Sequence, residues 1–168
     1  MKVLIISDNH GDKTILDEIK EKYQDQVDGM IHCGDSELDD TDGIWETYQP
    51  VEGNCDYYGD YPTERIVEIG AASFLVVHGH RHRVKQDLSY LAEAAKQKGL
   101  QFAFYGHTHI PKVDQIGDVY VINPGSIAQP RYPYSVGTYA VLEWTDTERR
   151  ITYYDRDHQA YDELSQEL

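Results

Sequence analysis

Apolar residues along the chain come in short runs, and the period of those runs changes from segment to segment. Residues 2 to 7, centred on Val3-Leu4-Ile5-Ile6, predict a strand buried on both faces. Behind Asp12-Lys13-Thr14, the residues Ile15, Leu16, Ile19 and Tyr23 recur at helical spacing and the pattern fades near Gln24 to Gln26, which predicts an amphipathic helix. Val27 to His32 returns to strand, closing a βαβ unit. Residues 36 to 47 carry Glu37, Asp39, Asp40 and Asp42 with little apolar periodicity and predict a solvated turn or loop. Tyr48 to Val51 is a short strand, and Glu64 to Glu68 and Ser73 to Val77 are two strands about a turn at Gly70. A basic island, Arg81 to Lys85, precedes a predicted helix from Gln86 to Lys98 with Leu88, Leu91, Ala92 and Ala95 on one face and Gly99 as its stop. Leu100 to Tyr105 reads as strand. Val113 to Ile116 and Val119 to Ile122 flank Gly117-Asp118 as a two-residue hairpin, and Thr138 to Trp144 with Arg149 to Tyr154 suggest another. From Gln159 onward the pattern fits a weak helix or a loose tail.

The first half is therefore βα in character and the end is antiparallel. This predicts an α/β fold of two packed mixed β-sheets flanked by helices, in one domain spanning residues 1–168 without repeats or linkers. Fifteen Lys and Arg against thirty Asp and Glu give a net charge of −15, which repels a polyanion at long range. Long nucleic acid is thus a poor expectation for a partner, whereas a small phosphate gripped locally remains compatible. No apolar run approaches the roughly 20 residues that span a bilayer, and the chain enters a strand at once, so neither a membrane partner nor a signal segment is expected and the expected location is cytoplasmic. Cys33 and Cys55 make neither a disulfide framework nor a C-x-x-C motif. Lying beside Asp35 and Asn54, they are expected near a site as reduced thiols, with direct thiolate ligation the weaker alternative.

Five apolar segments end in residues able to bind a cation. Asp8-Asn9-His10 follows the first strand, Gly34-Asp35 the second, Gly53-Asn54 the third, His78-Gly79-His80 the run Phe74 to Val77, and Gly106-His107-Thr108-His109 the run Phe102 to Tyr105. Open α/β sheets place their ligands at such strand ends. The donors Asp8, His10, Asp35, Asn54, His78, His107 and His109 are too many for one open catalytic ion and suit two ions about 3.5 to 4 Å apart that share a carboxylate. Mixed imidazole and carboxylate donors favour Mn2+, Fe2+, Co2+, Ni2+ or Zn2+ over Mg2+ or Ca2+.

Taken in order, Asp8-x-His10, Gly34-Asp35, Gly53-Asn54, His78 and Gly106-His107-x-His109 resemble the motifs of the calcineurin-like metallophosphoesterases, from the start of the chain to residue 109. Gly53-Asn54-Cys55-Asp56 and Asn123-Pro124-Gly125-Ser126 are similar to the small YfcE-type phosphodiesterase branch. The resemblance implies one ion held by Asp8, His10, Asp35 and His109, and a second held by Asp35, Asn54, His78 and His107, with Asp35 as the bridge. It also implies a phosphoesterase that hydrolyses small phosphodiesters by attack of a metal-bridging hydroxide, with Mn2+ as the first choice of metal and Asp35, Asn54 and His78 acting through the ions.

The departure from the family lies at Cys55, where many members carry His after Gly-Asn to protonate the leaving oxygen. A neutral thiol is a poor substitute, so the leaving-group acid is unassigned. His80 and His82 are candidates for it and equally surface or supporting histidines. His32 and His158 are read as structural. Asn123 to Ser126, with Arg131 beyond, lie near the metals or form an ordinary Pro-Gly turn. Tyr57, Tyr58, Tyr132 and Tyr134 are candidates for a pocket wall. Two other functions compete: a protein-binding scaffold like the retromer subunit Vps29, whose metal site is degraded, and a metal store or sensor. The complete set of seven donors argues against the scaffold, and tight metal buffering does not need a dinuclear site with open positions.

Overall fold

The computed structural model describes residues 1–168 and opens on β1 (Lys2–Ile6), whose apolar run faces two layers at once. Val3 and Ile5 point into one core cluster and Leu4 and Ile6 into another, all four fully buried. Successive side chains of a strand point to opposite faces, so a strand lying between two cores must be apolar throughout. Leu4 and Ile6 meet Ile15, Leu16 and Ile19 of helix α1 (Lys13–Tyr23), which begins where the side chain of Asp12 accepts the amide of Ile15.

Strand β1 pairs in parallel with β2 (Gly29–His32), and β2 in parallel with β3 (Tyr48–Pro50). On its other side β1 pairs antiparallel with β9 (Thr138–Trp144), which continues through β10 (Arg149–Asp155) to β11 (Gln166–Glu167). A second sheet has the order β4-β5-β6-β8-β7, formed from β4 (Glu64–Ile69), β5 (Ala72–Val77), β6 (Phe102–Phe104), β7 (Lys112–Ile116) and β8 (Val119–Asn123). Within it β5, β6 and β8 run parallel, and β4 and β7 are antiparallel edges. Val3, Ile5 and Leu142 of the first sheet pack against Phe74, Phe102, Phe104 and Ile122 of the second in the largest core cluster, so the sheets are stacked face to face. Helix α2 (Ser89–Gln97) covers the outer face of the second sheet, with Leu91, Ala92 and Ala95 against Leu75, Val77 and Ala103. This is the expected pair of mixed sheets with helices outside.

Three expectations need correction. The second helix begins at Ser89, three residues later than the apolar pattern suggested, because Arg83 adopts left-handed φ 54°, its carbonyl accepts the amides of Gln86 and Asp87, and the Asp87 side chain accepts the Ser89 amide. Residues from Gln159 form neither helix nor loose tail. Ala160 bridges Tyr154, Gln166–Glu167 pairs with β10, and Leu164 and Leu168 pack on the core. Tyr48–Pro50 is a residue shorter than expected: the Val51 amide still donates to His32 O (3.2 Å), but β2 ends at His32 and offers no further partner. No helix is long and apolar enough to cross a membrane.

The three core clusters contain no metal donor other than the buried thiol of Cys33, so folding should not wait for metal. Chelator-treated protein is expected to melt in one cooperative transition. Mn2+ at about a hundred times its Kd should raise Tm by roughly 5–10 °C. Apo protein without a calorimetric transition would show that the cores do not suffice.

Candidate metal centre

The parallel strands of both sheets end at one edge of the sandwich. There β1 delivers Asp8 and His10, β2 Asp35, β3 Asn54, β5 His78, and β6 His107 and His109. Backbone bonds lace these loops beyond the strands: the Asp8 amide donates to Gly34 O (3.0 Å), that of His10 to Asp35 O (3.1 Å), and that of Gly106 to His78 O (3.0 Å). Asp8, His10, Asp35, His107 and His109 all adopt left-handed φ, between 44° and 65°. Such residues cost of order 1–3 kcal/mol each and persist where their surroundings over-determine them. Two glycines are fixed by contact: a Cβ on Gly53 would strike the backbone and carboxylate of Asp35, and one on Gly106 would strike Ser7 Oγ and Asp8 Oδ2.

Lone pairs turn inward at this edge. His109 Nδ1 donates to Gln129 O (2.7 Å), His78 Nδ1 to Cys33 O (2.7 Å), and His10 Nδ1 to Glu37 Oε1 (2.6 Å). In each neutral ring Nε2 is then the acceptor. His109 Nε2 lies 3.1 Å from Asp8 Oδ1 and 3.3 Å from His10 Nε2, and Asp8 Oδ1, fully buried, has no hydrogen-bond donor. His78 Nε2 lies 3.3 Å from Asp35 Oδ2 and 3.1 Å from Asn54 Oδ1, whose amide is oriented by donation to Cys55 Sγ (3.3 Å). Acceptors facing each other at these distances repel unless a proton or metal cation lies between them. One ligand atom each from Asp8, His10, Asp35 and His109 falls within 4.8 Å of the others, so the donor set fits a cation. The His107 ring stands 5.1 Å from that of His78, and its backbone amide donates to Asp8 Oδ2 (3.2 Å).

The electrostatics follow the same division. Burial alone would raise the Asp35 carboxyl, but the hydrogen bond and field of His78 and the Cys55 amide outweigh it and hold Asp35 below the usual carboxylate range. Burial opposes charge on His78 as well, yet Asp35 and Asp8 pull it upward. His107 is pushed down to about 4 by burial and then by His78, so near neutral pH it presents a neutral imidazole.

Several supporting residues were not singled out by the sequence. Asp56, nearly buried, accepts four donors: the amides of Asp35 (2.9 Å), Glu37 (2.7 Å) and Gly53 (2.7 Å) and the hydroxyl of Ser36 (3.0 Å). It ties the Gly-Asp loop to the Gly-Asn loop, and its only sequence signal was its place in Gly53-Asn54-Cys55-Asp56. Glu37, exposed as expected of a solvated run, also orients His10. The Asn123 to Ser126 segment is more than a turn: the Ser126 hydroxyl donates to Asp8 O (2.8 Å), and Asn123 Nδ2 to Gly106 O (2.8 Å) and Thr108 Oγ1 (3.0 Å).

The remaining residues of interest fall around this edge. Cys33 is buried in the inter-sheet core, while Cys55 is half-buried and its amide donates to Asp35 Oδ1 (2.7 Å). Cys55, His10 and Glu37 also bring one possible ligand atom each within 4.8 Å of one another. His80 has its ring 5.4 Å from His78, and both His80 and His82 are held down, foremost by burial. His32 is structural, bonded through Nε2 to Asn9 Oδ1 (2.9 Å), and His158 Nδ1 meets the Tyr139 hydroxyl (2.9 Å). The tyrosine wall is not built: Tyr57, Tyr58 and Tyr132 are 80%, 84% and 91% exposed, and Tyr134 packs edge-on against Tyr161.

Replacing Asp56 by Asn would turn an NH2 group toward two of its four donors. Asp56→Asn is expected to cost about 2–4 kcal/mol and to lower Tm by roughly 5–15 °C. An unchanged Tm in scanning calorimetry would show that the carboxylate does not hold the two loops.

Residues 1–147 match the model of the calcineurin-like phosphoesterase superfamily domain. The chain is 39% identical over 156 residues to the probable metallophosphoesterase YsnB of Bacillus subtilis, covering 93% of this chain and 92% of that one. It is 31% identical over 170 residues to the phosphodiesterase MJ0936 of Methanocaldococcus jannaschii, covering 89% and 95%. A crystal structure of a predicted phosphoesterase from Streptococcus pneumoniae superposes with a TM-score of 0.95 at 34% identity, covering 99% and 96%. With its ordered motifs gathered at one sheet edge, the chain belongs to the calcineurin-like phosphoesterase superfamily.

Proposed function

We propose that this protein hydrolyses small phosphodiesters with two divalent metal ions. Asp8, His10, Asp35 and His109 hold one ion, Asp35, Asn54, His78 and His107 hold the other, and Asp35 bridges them. The observation that carries this reading is the convergence of Nε2 and carboxylate lone pairs on two foci that share Asp35. Its imidazole and carboxylate donors suit Mn2+ first, with Ni2+, Co2+, Fe2+ or Zn2+ as alternatives. Bound there, the cations neutralise phosphate oxygens and lower the pKa of water. The diester preference draws support from the relative named a phosphodiesterase. The acidic surface and the absence of a membrane-length helix favour a small soluble substrate in the cytoplasm over long nucleic acid or a membrane.

The chain's own residues have separable tasks. Asp8 and Asp35 supply buried negative charge, and Gln129 O, Cys33 O and Glu37 fix the rings so that Nε2 faces inward. Asn54 is exposed and uncharged, so a donor at the mouth of the site does not repel an incoming phosphate. Cys55 is a weak acid for this role, because burial, foremost, and Asp35 push its thiol up to about 11. His80 accepts from Arg81 Nε through Nε2 (3.2 Å) and is held neutral near pH 7, foremost by burial. No side chain beside Asn54 is therefore poised to protonate a leaving alkoxide. A protein-binding scaffold of the Vps29 type is the competing reading, disfavoured because all seven donor positions carry metal-binding side chains.

Hydrolysis of bis-p-nitrophenyl phosphate should require a divalent metal and stop on chelation. Asp35→Asn, which takes charge from between two cations, should lower kcat/KM at least about tenfold more than His10→Ala or Asn54→Ala, with metal content falling in parallel. Turnover in excess EDTA after verified metal removal would sink the metal-dependent reading, and near-normal rates in Asp35→Asn would remove the bridge.

A second outcome follows from Cys55. With no donor for the leaving oxygen, kcat/KM should fall steeply as leaving-group pKa rises across aryl and alkyl diesters. Cys55→His should recover rate on the basic leaving groups and little on nitrophenolate. A flat dependence in the unaltered protein would show that an acid is already in place.

A further inference from the structure

Beside the Gly106 to His109 loop lies a groove of about 360 Å³ that the catalytic reading leaves unused. Its floor is apolar, formed by Val84, Leu88, Ile110 and the ring of Tyr105, and its rim carries Lys85, Lys112 and Arg131. No carboxylate lines it, although acidic residues outnumber basic ones two to one in this chain. Each of the four other sizeable cavities contains at least one carboxylate, Asp118, Asp146, Glu143 and Asp60 among them. Lys112 is paired with Asp114 (2.8 Å), whereas Lys85 and Arg131 are exposed and make no ion pair. The groove adjoins the candidate metal centre: Thr108, between His107 and His109, lines it, and Arg131 follows by two residues the Gln129 carbonyl that orients His109.

From this placement we infer that the groove is a substrate subsite for a second phosphate, carried on a ring-bearing arm of the diester, with the ring on the apolar floor and the phosphate between Lys85 and Arg131. The inference rests on the phosphodiesterase reading and names its substrate class: a diester with a nucleoside-like ring and a terminal phosphate. An unpaired guanidinium offers phosphate a planar pair of donors, and an apolar cleft of this size accommodates a ring. In a chain of net charge −15 an anion is repelled at long range, so affinity for it must come from such a local cluster.

The test compares thymidine 3′,5′-bisphosphate with thymidine 5′-phosphate by titration calorimetry on the Mn2+-loaded protein. It also compares turnover of the p-nitrophenyl 5′-esters of thymidine with and without a 3′-phosphate. The bisphosphate should bind at least about tenfold more tightly, and the 3′-phosphorylated ester should have a correspondingly lower KM. Lys85→Ala combined with Arg131→Ala should reduce both advantages to within about twofold. Arg150→Ala, which removes an exposed charge from β10 in the other sheet, should leave them intact. Equal binding of the two nucleotides, or an equal loss in Arg150→Ala, would overturn the subsite. Diester turnover without 3′-phosphate preference sinks the subsite alone; tight, Lys85- and Arg131-dependent binding without turnover under any divalent metal upholds the subsite and sinks the assigned activity.

Discussion

Everything at the candidate site answers to one electrostatic constraint: acceptor atoms from five loops face one another in pairs at 3.1 to 3.3 Å, where they repel. A fold can keep such a cluster only if the repulsion is opposed by bonds that do not involve the cluster itself. Here those bonds come from the rear. The imidazoles of His10, His78 and His109 are anchored through Nδ1, the loops are laced amide to carbonyl, and Asp56 gathers four donors beneath Asp35 and Asn54. The left-handed φ values at five donor positions show the backbone bent to meet this requirement.

The two-sheet arrangement makes this possible because it aligns six parallel strands, three in each sheet, so that their ends share one rim. Neither sheet alone supplies the candidate donors: Asp8, His10, Asp35 and Asn54 come from one, and His78, His107 and His109 from the other. The core packing of Val3 and Ile5 against Phe74 and Phe104 therefore sets the spacing between the candidate donors of the two sheets.

Much of this was legible in the sequence. Strand ends marked by Asp, Asn and His announced the donors, since a buried apolar run must be followed by whatever its loop presents. The helix behind Asp12 and the hairpin about Gly117-Asp118 carried strong local signals. What could not be read was long-range and satisfied by single atoms. Glu37 looked like one carboxylate in a solvated run, and only the left-handed turn at its backbone swings it onto His10. Ser126 reaches Asp8 across 118 residues, a separation that no periodicity reports. The closing strand Gln166–Glu167 is too short to show alternation, and its pairing with β10 decides its form.

The sandwich is also asymmetric from end to end. While the chemistry-bearing loops crowd one rim, the connections at the other are tight turns: β4 to β5 at Gly70, β7 to β8 at Gly117, and β9 to β10 at residues 145–148. That far rim carries none of the candidate donors. A peptide tag, a fluorophore or a surface tether inserted at Gly117-Asp118 would leave the substrate entrance facing away from the attachment, so the fold offers a handle for oriented immobilisation.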